Sequence, residues 1–178
     1  DLRNLIEKCH EKKFKVIINW DGNYLSKESK LTKEHPDWFI DKEKLKSSQL
    51  LTGGYCFNYA IKEVKTYMTD AMKWWIDESD IDGFNCKNLY IPNSFWNEAI
   101  QELNQMKKIL IISNTEQKDD GSNNFNLSYA NEFNTLLSSI SKLEKNTDSL
   151  LNYLSKTKND GLKLNYLTNF GEASDAFT

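Results

Sequence analysis

The chain is 178 residues long, 39% hydrophobic and 28% charged, with a formal net charge of -3. That length buries one good core, so a single domain over residues 1–178 is expected. The mild acidity leaves no concentrated basic surface, which argues against a nucleic-acid partner, and no run approaches the roughly 20 apolar residues that span a bilayer.

In chain order, Leu2, Leu5, Ile6 and Cys9 fall on one face of a first helix, with charges opposite. Phe14 to Trp20 is an apolar run of strand length, and Asp21-Gly22-Asn23 turns the chain out of it. Residues 24–59 hold no sustained period and include Pro36 and Gly53-Gly54, so they read as a long loop excursion over a scaffold. Val64, Tyr67, Met68, Ala71, Trp74 and Trp75 mark a helix with a wide apolar face. A second strand is predicted at Gly83 to Lys87. Pro92 suits the first turn of the next helix, whose period runs through Phe95, Trp96, Ala99, Ile100 and Leu103. Ile109 to Ile112 is a third strand, and Asp119 to Asn124 a loop. Helical patterns recur at about 130–142 and 147–156, and Leu162 to Thr168 reads as a last strand.

This alternation has the spacing of βα units and implies an α/β fold: a partial (β/α) barrel of about five parallel strands with covering helices. A complete barrel has eight units and typically about 250 residues. The order starts on a helix and stops on a strand, which leaves two sheet edges that must be paired or covered. The opening Asp1-Leu2-Arg3-Asn4 is neither an initiator Met nor a signal peptide and reads as a mature or internal start. Cys9, Cys56 and Cys86 are far apart and form no CxxC pair, so buried thiols are expected rather than a zinc site or disulfides.

Four segments, in order and correctly spaced, carry a family resemblance. They are Lys15 to Tyr24 (with His35-Pro36-Asp37-Trp38-Phe39 and Phe57-Asn58-Tyr59 around it), Asp80 to Lys87 (with Ile91-Pro92 and Phe95-Trp96), Ile109 to Glu116, and Leu167 to Glu172. They resemble the third-, fourth-, fifth- and seventh-strand segments of the alpha-amylase family of glycoside hydrolases, bacterial starch-utilisation type. The resemblance runs from Leu2 to about Glu172 and covers the third to the seventh strand of that barrel.

Glycosidases of this type flank the scissile bond with two carboxyl groups, about 5 Å apart in the retaining mechanism. One attacks the sugar carbon while the other protonates the leaving oxygen. By the resemblance, the family nucleophile falls on Lys87, the acid/base on Asn114 and the third carboxylate on Gly171. The Arg that orients the nucleophile becomes Asn85, the structural Asp becomes Asn19, and two sugar-contacting histidines become Tyr24 and Phe170. An ammonium has no lone pair to attack with, and an amide donates no proton at neutral pH. Glu116 shares a strand face with Asn114 but has no nucleophile opposite, and Glu172 matches a Glu the family keeps beside its own Asp.

The expectation is therefore an inactive alpha-amylase-like protein, a structural or assembly module whose sheet edges a partner chain or second copy covers. The alternative is an alpha-glucan-binding protein using the relict cleft, with Trp20, Tyr24, Trp38, Asn169 and Phe170 as sugar contacts. A third reading is a Schiff-base enzyme on Lys87, which stands where barrel active sites lie. Against it is Lys87 simply paired with an acid such as Asp82 or Glu116. Trp74, Trp75 and Trp96 read as core. No cofactor is expected; Asn23 matches a residue that often helps hold structural calcium in the family, but calcium takes six to eight oxygens and one Asn does not supply them. The resemblance implies export to the periplasm or cell surface.

Overall fold

The computed structural model describes residues 1–41, 54–87, 91–114, 125–156 and 163–164. Packing divides the chain into two compact units, Asp1–Ile111 and Ile112–Thr178.

In the first unit, helix α1 (Leu2–Glu11) starts where Asp1 Oδ1 accepts a hydrogen bond from the Asn4 N–H at 3.4 Å, satisfying one of the free donors of a helix start. Its buried face is narrower than the predicted stripe. Ile6 is buried, whereas Leu2 and Leu5 are 41% and 58% exposed. Lys13, at φ 63°, turns the chain into strand β1 (Ile17–Trp20). Phe14 stays outside that strand and is exposed.

The predicted loop excursion carries a small sheet of its own. Strand β2 (Tyr24–Leu25) pairs antiparallel with β3 (Tyr55–Cys56), in the register Tyr24 to Cys56. Helix α2 (Lys30–Glu34) and a 3-10 turn at Pro36–Trp38 lie between them. Phe39, Cys56 and Phe57 are buried beneath, and alternation of so few apolar residues left no period to read.

Helix α3 (Lys62–Ser79) buries Val64, Met68, Met72 and Ile76, spaced by four. The sequence reading of its aromatic face needs correcting, because Tyr67 and Trp74 are exposed and Trp75 is half-buried. Tyr67, Ala71 and Trp74 form a second stripe, rotated from the core stripe by one residue's turn. Strand β4 (Gly83–Cys86) pairs parallel with β1 from Ile17–Gly83 to Trp20–Cys86. Helix α4 (Asn93–Met106) begins one residue after Pro92 and buries Phe95, Trp96, Ala99, Ile100 and Leu103, the predicted set. Trp96→Ala is expected to cost about 3–5 kcal/mol, whereas Trp74→Ser costs at most about 1 kcal/mol, for its edge contact with Trp75. Urea unfolding of the two variants reads the contrast.

Before β4, Asp82 is nearly buried and its carboxylate collects the Val16 N–H (2.9 Å), Lys15 Nζ (2.9 Å) and His10 Nε2 (2.7 Å). Lys107 Nζ stands 3.5 Å away. This knot ties the ends of α1 and α4 to the amino-terminal ends of β1 and β4.

Strand β5 (Leu110–Ser113) follows. The second unit adds β6 (Leu127–Tyr129), α5 (Asn131–Ser141), α6 (Asp148–Lys156) and β7 (Lys163–Leu164). The sheet order is β1-β4-β5-β6-β7, with β5 to β6 and β6 to β7 parallel. Strand β6 was not predicted. The last strand is seen at Lys163–Leu164, while the rest of its predicted range and the 119–124 loop lie outside the described residues. Phe133 meets Tyr153 at 6.1 Å and seats α6 on α5. Among the described residues, no helix is long and apolar enough to cross a membrane.

Candidate functional site

Parallel pairing aligns the carboxyl ends of β1 and β4. With Trp20 opposite Cys86, the next residues, Asp21 and Lys87, fall side by side. The Lys87 N–H donates to the Trp20 carbonyl at 2.8 Å, and Lys87 Nζ lies 3.3 Å from Asp21 Oδ2, both side chains nearly half exposed. The partner of Lys87 is therefore Asp21. Asp82, one of the acids proposed for it, is at the other end of β4, roughly 16 Å along the strand, and Glu116 lies outside the described residues.

Asn23 is buried and holds this corner together. Its backbone N–H and Nδ2 both donate to Asp21 Oδ1, at 3.0 and 2.8 Å, and Nδ2 also donates to the Lys87 carbonyl at 2.6 Å. Tyr59 hydroxyl donates to the Gly22 carbonyl at 2.8 Å. Burial, and then the charge of Asp21, push its phenol above the ordinary tyrosine range. Gly22 has no room for a side chain: a Cβ there would stand 2.7 Å from the Tyr59 hydroxyl and 3.1 Å from Trp20 Nε1. Asn85 Nδ2 donates to Asn19 Oδ1 at 3.0 Å, so these two amides bond to each other across β1 and β4.

Of the proposed sugar contacts, the three within the described residues sit on different elements. Trp20 meets Phe84 edge-on at 5.9 Å, and its buried Nε1 has no hydrogen-bond partner among the described residues. Tyr24 belongs to the small antiparallel sheet, opposite Cys56. Trp38 stacks on His35 at 4.1 Å and leans on Tyr67 at 5.3 Å. It lines a groove of about 410 Å³ with Lys62, Glu63, Thr66, Tyr67 and Asp70, and none of Trp20, Asp21, Asn23 or Lys87 lines it. Asn114 follows β5 in the second unit, where its carbonyl accepts from Asn131 Nδ2 at 3.3 Å. Asn169, Phe170, Gly171 and Glu172 lie outside the described residues.

Sequence reasoning passed over Asp21 and Tyr59. Each of Asp21 and Lys87 could be read as following a strand, but only the pairing of β1 with β4 sets them side by side. Chemically, the strand-end corner is an ammonium held against a carboxylate, with an amide bonded to that carboxylate and to the Lys87 carbonyl. Among the described residues, Asp21 is the carboxylate that bonds Asn23, and its other oxygen faces Lys87. Lys87→Ala is expected to cost less than about 1 kcal/mol, because exposed pairs are worth little. Asn23→Ala costs about 2–3 kcal/mol, because it strips the Lys87 carbonyl of its donor. Denaturant unfolding distinguishes the two.

A family model described as Melibiase matches residues 1–144. The chain belongs to the Melibiase family. This Melibiase-family chain is also 27% identical over 130 residues to a cyclomaltodextrinase of Geobacillus thermopakistaniensis, covering 62% of the chain and 22% of that enzyme. A 1,4-alpha-glucan branching enzyme of Corynebacterium efficiens is 29% identical over 91 residues, 47% of the chain and 12% of the enzyme. In fold it is similar to the maltogenic alpha-amylase AmyB of Thermotoga neapolitana, with a TM-score of 0.83 and 23% identity over 94% of the chain and 41% of AmyB. An alpha-amylase of Lactobacillus plantarum gives 0.79 and 19% over 92% and 43%. The chain thus spans well under half the length of these relatives. The alpha-amylase-like, glycoside-hydrolase character read from the four strand-end segments holds, and so does the partial-barrel fold class.

Proposed function

We propose that this chain is a non-catalytic, alpha-amylase-like module that works in an assembly, with a second copy or another polypeptide adding a strand along β1. The observation that carries this reading is the edge of β1. Among the described residues β1 pairs with β4 alone, and an unpaired edge is a template for a further strand. Exposed Leu2, Leu5 and Phe14, on the segments leading into β1, add apolar surface in the same unit.

The absence of catalysis rests on the strand ends. The position that the resemblance gives to the nucleophile holds Lys87, an ammonium turned to Asp21 at 3.3 Å, and the acid/base position holds Asn114, whose amide protonates nothing at neutral pH. The named relatives act on alpha-glucans, which makes starch and maltoheptaose the substrates to try. Light scattering at several concentrations, with and without maltoheptaose, tests the reading. A mass that rises above the monomer with concentration and ignores the sugar is expected, as is no release of reducing ends from starch. A strict monomer that binds maltoheptaose would move the reading to the glucan-binding alternative, and starch cleavage would end it.

A further inference from the structure

The outer face of α3 has no part in the core and none in the strand-end corner. Glu63, Tyr67, Asp70 and Trp74 recur on it at i, i+4, i+7 and i+11, so they stand in one row. All four are exposed, Tyr67 by 44% and Trp74 by 55%. The two aromatics are seven residues apart, roughly 10 Å along the axis, a span that several linked sugars bridge and one does not. Tyr67 is braced by Trp38, which is itself stacked on His35. Beside Tyr67 runs the groove of about 410 Å³, with Lys62 and Thr66 adding hydrogen-bonding groups to Glu63 and Asp70.

From this row we infer a second site: a platform on α3 for a neutral oligosaccharide, separate from the strand ends. A pyranose ring has an apolar C–H face bounded by hydroxyls. A braced aromatic ring receives the face, and carboxylates one turn before and after it accept the hydroxyls in charge-assisted bonds. A protein partner fits less well, because the cores of protein interfaces are depleted in Asp and Glu, whereas here each aromatic alternates with a carboxylate.

Calorimetric titration of the full chain with maltoheptaose, cellohexaose and stachyose tests the site. At least one sugar is expected to bind saturably, and Tyr67→Ala or Trp74→Ala to weaken it about tenfold, as loss of a stacking contact implies. The doubly neutralised Glu63→Gln/Asp70→Asn variant, which keeps both rings, is expected to weaken it as well. Thermal melts identify any variant that has lost its fold. Binding of none of the sugars overturns the inference. So does loss of binding in Lys87→Ala with Tyr67→Ala unaffected, which places the sugar at the strand ends. If Trp74→Ala dissociates an oligomer and no sugar binds, the face belongs to a second copy. A monomer whose sugar binding depends on Tyr67 would sink the assembly reading and leave this one standing.

Discussion

Gly83→Ala is expected to destabilise the chain by at least about 3 kcal/mol, a large part of the 5–15 kcal/mol that holds a typical domain folded. Gly83 opens β4 where Leu110 opens β5. A Cβ at residue 83 would overlap the Leu110 carbonyl oxygen and stand 2.8 Å from its carbonyl carbon. Both are backbone atoms and cannot rotate aside, so the strands would have to part, straining the Leu110 N–H bond to the Asp82 carbonyl (2.8 Å). Urea unfolding or soluble yield gives the answer. A cost below about 1 kcal/mol would mean that the two strands re-space freely.

Asp82→Asn is the second large effect, about 2–4 kcal/mol. The carboxylate is 6% exposed and accepts from three donors. Burial works against its charge, but the Val16 N–H, Lys15 and His10 bonds and the charge of Lys107 outweigh it, holding the carboxyl far below its usual range. Lys15 is 75% exposed and contributes little; the backbone donor and His10 matter most. An amide in this place turns one donor group toward others and leaves Lys15 without its acid, while Lys107 keeps Asp80. Because the folded carboxyl is depressed, its stabilisation is present in full above the ordinary value of about 3.9. It is lost as the pH falls below that toward the depressed folded value. Unfolding followed from about pH 5 to about pH 2 should show a steep acid limb in the parent and a flatter one in Asp82→Asn. Equal limbs would assign the acid sensitivity to other carboxylates.

Elements with one uninterrupted apolar stripe were legible in the sequence. The five predicted core residues of α4, Phe95 to Leu103, are all buried, because no competing stripe runs beside them. In α3 two stripes lie one residue's turn apart. The core uses the methionine stripe, while the aromatics, given greater weight for their size, face outward. Strand β6 escaped because its middle residue is Ser128, a buried hydroxyl between half-buried Leu127 and Tyr129, so three residues showed the reverse of the expected alternation. At the site, the motifs placed Lys87 and Asn23 on strand ends, but the ion pair with Asp21 depends on which strands are neighbours. Order along the chain does not contain that. The surroundings of Trp38 were hidden for a similar reason, since its contact with Tyr67 of α3 is made by the folded excursion.

The cysteines give this protein two internal clocks. Cys56 sits in the small antiparallel sheet at 2% exposure, and Cys86 in β4 at 0%; burial also pushes the Cys86 thiol above its ordinary range, so it holds its proton. A thiol-labelling reagent therefore reaches Cys9 first, and the other two only when their own sheet opens. If the excursion opens more often than the main sheet, the rates separate into three steps, and the last reports unfolding of the strand that leads into Lys87.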